Sequence, residues 1–142
     1  MLSQTGKYAI RAMVILAGRE STAPFDAAQI SSQLSLPANY LAKILQVLAR
    51  AGLLNSTRGI HGGYSLARPP DQITLLSIVE PFENALKRQA CLMGRAECGR
   101  DVSCLMHSRW HPVVQAYEDF LKGSTLADLV AGAQNAVHAD QR

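Results

Sequence analysis

The segment from Asp26 to Gly52 constrains the fold most, because it encodes two helices separated by a short break. Asp26 is a good N-cap, and the apolar residues after it recur at helical spacing: Ala27, Ile30 and Leu34. Ser35 to Pro37 ends the first helix, and a proline suits the opening of the next one. The second helix is amphipathic, with an inner face of Tyr40, Leu41, Ile44, Leu45 and Leu48 and an outer face of Asn39, Ala42, Lys43, Gln46 and Arg50. This succession is the helix-turn-helix pattern.

Directly after this pattern, the sequence predicts a β-hairpin with a glycine-rich tip. The strands are 53–56 and 64–67, and the tip between them reads Thr57-Arg58-Gly59-Ile60-His61-Gly62-Gly63. An isolated hairpin of this kind is most simply a turn, but behind a helix-turn-helix it is the usual companion wing. The glycines let the backbone approach a neighbour closely, while Arg58 and His61 supply positive or hydrogen-bonding groups. We therefore expect the tip to meet a DNA minor groove or a line of phosphates.

The charge of the chain is unevenly spread, and its positive excess lies in the half that contains the predicted helix-turn-helix and hairpin. Residues 1–70 carry seven lysines and arginines against two acidic residues, a net charge of +5, whereas the remainder carries seven against nine, a net charge of −2. A basic half joined to a mildly acidic one is typical of a phosphate-binding module with a separate control segment, although ordinary domains show it too. The residues expected to contact double-stranded DNA are Ala38, Asn39, Tyr40, Lys43, Arg58, Gly59, His61, Gly62 and Gly63.

Helical periodicity accounts for most of the remaining chain. A first helix, capped by Ser3 or Thr5, runs to about Gly18, and a fourth begins at Ile73 and ends near Pro81 or soon after it. A long helix over 105–121 has a bulky apolar stripe, which we expect to pack on the first helix or on its copy in a homodimer. Thr125 can cap a last short helix.

The predicted fold is therefore mainly α with a small β-hairpin wing, a winged helix-turn-helix followed by a long C-terminal dimerisation helix. Its expected parts are a DNA-binding module at 1–70, a connecting helix at 71–87, a cluster-binding loop at 88–106, a dimerisation helix and terminal helix at 107–135, and a flexible tail at 136–142.

Three cysteines, Cys91, Cys98 and Cys104, fall within fourteen positions among glycines and charged residues. Such surroundings favour an exposed loop over a core, and the odd count argues against a disulfide framework. His107 lies three residues after Cys104, so both side chains can point to the same side. The gaps of six, five and two residues are longer than the paired spacing of most zinc sites and suit an iron–sulphur cluster. Zinc bound by the same four residues remains the alternative.

Other functional classes receive less support from the sequence. No apolar stretch is long enough to cross a bilayer and no secretory signal opens the chain, so we expect a cytoplasmic protein without membrane association. A cluster-carrying redox protein or a zinc-stabilised interaction module, neither binding an operator, is the alternative function. Because no substrate-binding motif is present, we do not expect an enzyme.

Four segments together resemble the Rrf-type family of winged-helix transcription regulators, which includes iron–sulphur assembly regulators and nitric-oxide sensors. They are Gly6-Lys7-Tyr8-Ala9, Asn39-Tyr40-Leu41, the stretch from Arg58 to Tyr64, and the three cysteines. The resemblance runs from Ser3 to about Ala133. It implies a dimer built on the long helix, a pseudo-palindromic operator contacted by helix and wing, a cluster beside the dimer interface, and repression as the default.

The fourth cluster ligand varies within this family. Cys104, His107 and Trp110 resemble the assembly regulators, in which the matching histidine ligates a 2Fe-2S cluster. In the nitric-oxide sensors an aspartate of the first helix ligates a 4Fe-4S cluster, and Lys7 occupies that position here. The resemblance favours His107 and 2Fe-2S, but the gap before Cys98 is one residue longer than in the assembly regulators, so 4Fe-4S stays possible. Ala42 replaces a glutamate of their recognition helix, so no operator sequence is transferred.

Overall fold

The computed structural model describes residues 2–83, 91–94 and 104–139. These residues form six α-helices and one antiparallel hairpin, which confirms the predicted fold class. In chain order the elements are α1 (Gln4–Ala17), α2 (Ala27–Leu34), α3 (Ala38–Arg50), β1 (Leu54–Thr57), β2 (Gly63–Leu66), a 3-10 turn (Pro70–Gln72), α4 (Leu75–Glu83), α5 (His107–Gly123) and α6 (Leu126–Ala139). None of the described helices is both long enough and apolar enough to cross a membrane.

The helix-turn-helix is bounded by the residues that the sequence indicates. The side chain of Asp26 accepts a hydrogen bond from the Ala28 amide at 3.1 Å and so caps α2. Ser35 ends that helix in the left-handed conformation, with φ at 53°. At α1 the cap is Ser3, whose Oγ accepts from the Gly6 amide at 3.1 Å. The hydroxyl of Thr5, the other candidate cap, bonds to α3 instead.

The core lies where α1, α3 and α4 meet. Met13, Leu41, Leu45 and Ile78 are fully buried there, and Leu121 and Leu126 reach the same cluster from the C-terminal helices. Burial of each such side chain contributes about 1.5 to 3 kcal/mol, so this junction dominates the stability of the module. The inner face of α3 is thereby held rigidly, which fixes the direction of its outer face.

The wing is a four-residue ladder whose two strands each lie one residue nearer the tip than predicted. Leu54 pairs with Leu66 and Thr57 with Gly63. Tyr64 also exchanges backbone hydrogen bonds with Phe25, at 2.8 and 2.9 Å. A side chain at Gly63, where φ is 147°, would overlap the Phe25 backbone. The segment before α2 therefore adds a third strand position and anchors the base of the wing to the helical body.

Of the two C-terminal helices, the last is longer than predicted, and it, rather than the long helix α5, makes the main contact with α1 within the chain. Among the described elements α5 packs against α4, and it is α6 that packs on α1. The turn between α5 and α6 is tied to the chain before α4 by hydrogen bonds from the Leu75 amide to the Ser124 oxygen, 2.9 Å, and from the Leu126 amide to the Ile73 oxygen, 2.8 Å. Helix α6 continues to Ala139, so it is longer than the short helix expected and enters the segment assigned as a tail.

Candidate DNA interface and cysteine site

The outer face of α3 is free to approach a ligand. Ala38, Asn39 and Lys43 are exposed, whereas Leu41, Ile44 and Leu45 anchor the opposite face in the core. Among the residues described, Lys43 has no ion-pair partner. A lysine on the first turns of a second helix of this motif is suitably placed for DNA phosphates or base edges.

Tyr40 takes a different position from the other expected contacts. Its hydroxyl lies 2.7 Å from the Thr5 hydroxyl oxygen, and its ring meets Tyr8 edge to face, with ring centroids 6.1 Å apart. The side chain is only partly exposed. Tyr40 therefore ties the start of α3 to the first turns of α1, and any contact with DNA would be made alongside that bond.

The wing tip projects Arg58, Gly59, Ile60 and His61 into solvent. Its backbone is held by a hydrogen bond from the Gly62 amide to the Gly59 oxygen, 3.0 Å, and Gly59 has a φ of 106°. A side chain at Gly62 would overlap the Thr57 carbonyl oxygen. The glycines therefore set the shape of a tight tip, while Arg58 and His61 supply its polar groups. Ile60, which the sequence analysis did not single out, is 99% exposed.

Three of the four candidate metal ligands line one cavity. Cys91, Cys104 and His107 surround it together with Leu92, Met93, Met106 and Trp110. His107 is the first residue of α5, and its amide donates to the Cys104 oxygen at 3.1 Å, which keeps the two residues within one turn. Cys98 lies outside the described residues. Neither Cys91 nor Cys104 forms a disulfide.

The donor set fits an iron–sulphur cluster or zinc, because thiolate and imidazole suit both. The arrangement is not a closed site: in the described part of the chain, no three histidine, cysteine or acidic side chains are placed to hold a metal ion. The cavity that these described residues line is about 10 Å³, roughly the room of one water molecule. Cys91 is only 8% exposed, which is more buried than the predicted open loop, while Leu92 and Met93 beside it are exposed.

A comparison of the whole sequence with protein families matches residues 2–132 to Rrf2, described as an iron-dependent transcriptional regulator. The chain belongs to the Rrf2 family. IscR of Erwinia tasmaniensis is 30% identical over 141 residues, which cover 99% of this chain and 85% of IscR.

Solved structures place this Rrf2 protein in the same fold. CymR, the global cysteine regulator of B. subtilis, has a TM-score of 0.79 at 28% identity and covers 92% of this chain and 96% of its own. IscR of T. potens has a TM-score of 0.76 at 30% identity, with 96% and 90% covered. This Rrf2 protein is therefore a transcriptional regulator with the winged-helix fold. Because its relatives are regulators, the expectation that it is not an enzyme is confirmed.

A buried carboxylate of the Rrf2 protein escaped the sequence analysis. Glu83, at the end of α4, is 5% exposed, and its Oε1 accepts from the Ser3 amide at 2.7 Å and from the Ser3 hydroxyl at 2.6 Å. A side chain at Gly6 would overlap the same oxygen, so this glycine leaves room for the carboxylate. Tyr117 of α5 lies nearby: burial, and secondarily the charge of Glu83, raise the pKa of its hydroxyl. The long sequence separation of Ser3 and Glu83 helped to hide this junction.

Proposed function

We propose that this Rrf2 protein binds a pseudo-palindromic operator as a homodimer and represses transcription, with an iron–sulphur cluster controlling its affinity for DNA. The observation that carries the cofactor assignment is the shared cavity of Cys91, Cys104 and His107 at the start of α5. The likeness to IscR over nearly the whole chain supports it.

The DNA-binding part of the proposal rests on two exposed, positively charged elements of one rigid module. Lys43 on α3 and Arg58 on the wing have no ion-pair partner among the described residues, so neither must break a contact to meet phosphate. Asn39 and His61 add hydrogen-bonding groups on the same two elements. In a twofold dimer, the two copies of α3 would contact two half-sites about one turn of the DNA duplex apart.

The homodimer is supported by apolar surface on α5. Val113 is 47% exposed and Phe120 is 56% exposed, although both belong to the bulky stripe that the sequence predicts as a buried face. Val114 and Leu121, about 100° further around the helix, are buried within the protein. A helix with an exposed apolar face beside its buried one is best explained by a second copy that covers the exposed face.

For the cofactor, the residues that would hold it are Cys91, Cys98, Cys104 and His107. A bound cluster would supply a centre that reacts with oxygen or nitric oxide and depends on iron supply. The likeness to IscR favours 2Fe-2S with His107 as the fourth ligand, and 4Fe-4S remains the other possibility. The protein's own part would be to present three thiolates from the segment 91–104 and one imidazole from the start of α5, and Leu92 and Met93 of that segment face solvent.

Contacts within the module supply a route by which this loop acts on the recognition helix. The segment 88–106, which the sequence predicts as a loop, lies between α4 and α5, and the carboxylate of Glu83 at the end of α4 bonds to Ser3 at the start of α1. Two residues further along the chain, Thr5 bonds to Tyr40 at the start of α3. We propose that ordering of the loop 88–106 sets α4 and α5, and through these bonds the orientation of α3 in each half of the dimer.

The test is a comparison of ligand variants purified without air. Wild-type protein is expected to be coloured and to contain iron and acid-labile sulphide, whereas Cys98→Ala and His107→Ala lose most of both. His111→Ala is the matched control, because this histidine stacks on His107 with ring centroids 5.5 Å apart but is not an expected ligand. Equal iron content in all four proteins, or none in the wild type, would refute the assignment.

Zinc is the second candidate, and the small size of the cavity favours it. A single ion needs less space than a cluster, and zinc accepts three cysteines and one histidine. Such a protein would be colourless, with one zinc and no sulphide per chain, and the same preparation distinguishes the two. Operator binding would then not respond to oxygen or nitric oxide through iron chemistry.

A further inference from the structure

One almost fully exposed side chain in the proposed DNA interface is apolar. Ile60, at the wing tip, is 99% exposed, and it stands between the exposed cationic or hydrogen-bonding residues Arg58 and His61. An isoleucine held fully in water keeps its whole apolar surface hydrated, which is unfavourable. The surroundings of Ile60 are suited to an anionic partner, and they do not form an apolar patch of the kind that covers a protein interface.

The wing holds this side chain in a fixed place. The Gly62 amide bonds to the Gly59 oxygen at 3.0 Å, closing the tip directly around Ile60. The base of the wing is fixed as well, because Tyr64 pairs with Phe25 on the helical body. Ile60 is therefore presented by a stiff support at both ends of the hairpin, so inserting it into a groove would cost little ordering entropy.

We propose that Ile60 is a wedge that enters the DNA minor groove and packs against a base step, and that it contributes to both the base preference and the bending of the operator. The proposal rests on the proposed DNA-binding function and adds a residue to it. Apolar side chains on minor-groove proteins partly unstack a step and kink the duplex, most readily at flexible pyrimidine–purine steps. Arg58 and His61 would hold the flanking phosphates or groove edges while Ile60 makes the apolar contact.

The test compares Ile60→Ala with Ile60→Leu and Arg58→Ala on an operator duplex recovered by selection from random DNA with the wild-type protein. Ile60→Ala is expected to bind about tenfold more weakly, the size expected if the side chain is about half buried on binding. Its salt dependence should be unchanged because no charge is lost, and DNA bending measured by energy transfer between end labels should decrease. Ile60→Leu should retain affinity and bending. Arg58→Ala should instead reduce the salt slope by about two, one for each wing of the dimer.

Two further readouts separate the possible failures. Replacing the base step opposite the wing tip should weaken the wild type but not Ile60→Ala. Equal affinity, bending and base preference for wild type and Ile60→Ala would refute the role of Ile60 as a wedge. This holds even if Arg58→Ala weakens binding, a result that would leave the proposed function standing. If selection with wild-type protein enriches no sequence, the proposed function itself fails. Since Ile60 makes no core contact, matching thermal melts confirm that the variants are folded.

Discussion

Replacing Glu83 with alanine should destabilise the protein by about 3 kcal/mol. The carboxylate accepts two hydrogen bonds from Ser3, at 2.7 and 2.6 Å, and hydrogen bonds to charged groups contribute about 1.5 to 3 kcal/mol each. We use the lower value for each bond because the site is partly buried and removing the carboxylate also removes its desolvation cost. Glu83→Gln keeps an acceptor oxygen for both donors, so it should cost about 1 kcal/mol or less.

Urea unfolding followed by circular dichroism measures this difference at one fixed protein concentration, which is necessary if the protein is a dimer. With a slope of about 2 kcal/mol/M, Glu83→Ala should lower the midpoint by about 1.5 M and Glu83→Gln by less than about 0.5 M. An alanine variant within about 0.5 kcal/mol of wild type would refute the role of the Ser3–Glu83 junction. So would a glutamine variant as unstable as the alanine variant, because charge alone would then explain the effect.

The same glutamine variant has a second signature in Tyr117. Burial, and then the charge of Glu83, raise the pKa of this hydroxyl above its ordinary value of 10.0, so Glu83→Gln should bring the pKa part of the way back. Absorbance at alkaline pH reports tyrosinate formation directly. Because the folded-state pKa is raised, the contribution of Tyr117 to stability is complete below pH 10 and is lost as the pH rises through the folded value.

Three further outcomes follow from individual contacts. Gly6→Ala should destabilise the protein by about 1 to 2 kcal/mol despite alanine's higher helix propensity, because its Cβ would overlap Glu83, and a thermal melt measures this. Hydrogen bonds from the backbone and then the side chain of Thr125 lower the pKa of Asp128. The stabilisation that Asp128 gives is therefore present above its pKa in the unfolded chain and is lost as the pH falls through its pKa in the folded protein. Asp128→Asn should flatten this acid dependence of the melting temperature. Arg58→Ala should reduce the salt slope of operator binding by about two, one for each wing of the proposed dimer, and an unchanged slope in a titration from low to moderate salt would contradict its assignment to the wing contact.

The helix-turn-helix could be predicted from the sequence because its signals are local. Asp26 caps α2, Ser35 ends it, and the apolar faces of α2 and α3 repeat at the helical period. The wing was found for the same reason, and only the ends of its strands lie one residue nearer the tip than predicted. A strand of four residues has few alternating positions to mark its ends, and the pairing of Tyr64 with Phe25 is non-local.

The C-terminal half was harder to predict because its contacts are non-local. The length of α6 was underestimated because large apolar residues define a periodic face more clearly than the alanines of this helix do, although alanine is the strongest helix former. The packing of α5 on α4 is decided by hydrogen bonds from the chain around Ile73 and Leu75 to the turn after α5, about fifty residues later in the sequence.

The cysteine site was predicted from composition and spacing, and its details depend on packing. Sequence alone brings Cys104 and His107 together, because three residues separate them across one turn. Nothing local places Cys91 beside them or makes it buried, which the structure shows. The Ser3–Glu83 junction was missed entirely, since a serine at a helix start and a glutamate at a helix end each look like ordinary surface residues.

The most direct test of the account is the operator affinity of one anaerobic preparation measured before and after removal of its iron. Fluorescence anisotropy with the selected operator duplex gives both dissociation constants, and iron and sulphide assays on the same samples give the occupancy. The account predicts a change of at least about fivefold, corresponding to a coupling free energy of about 1 kcal/mol or more. Identical isotherms for the loaded and iron-free protein, or normal operator binding by protein that never contained iron or sulphide, would contradict it.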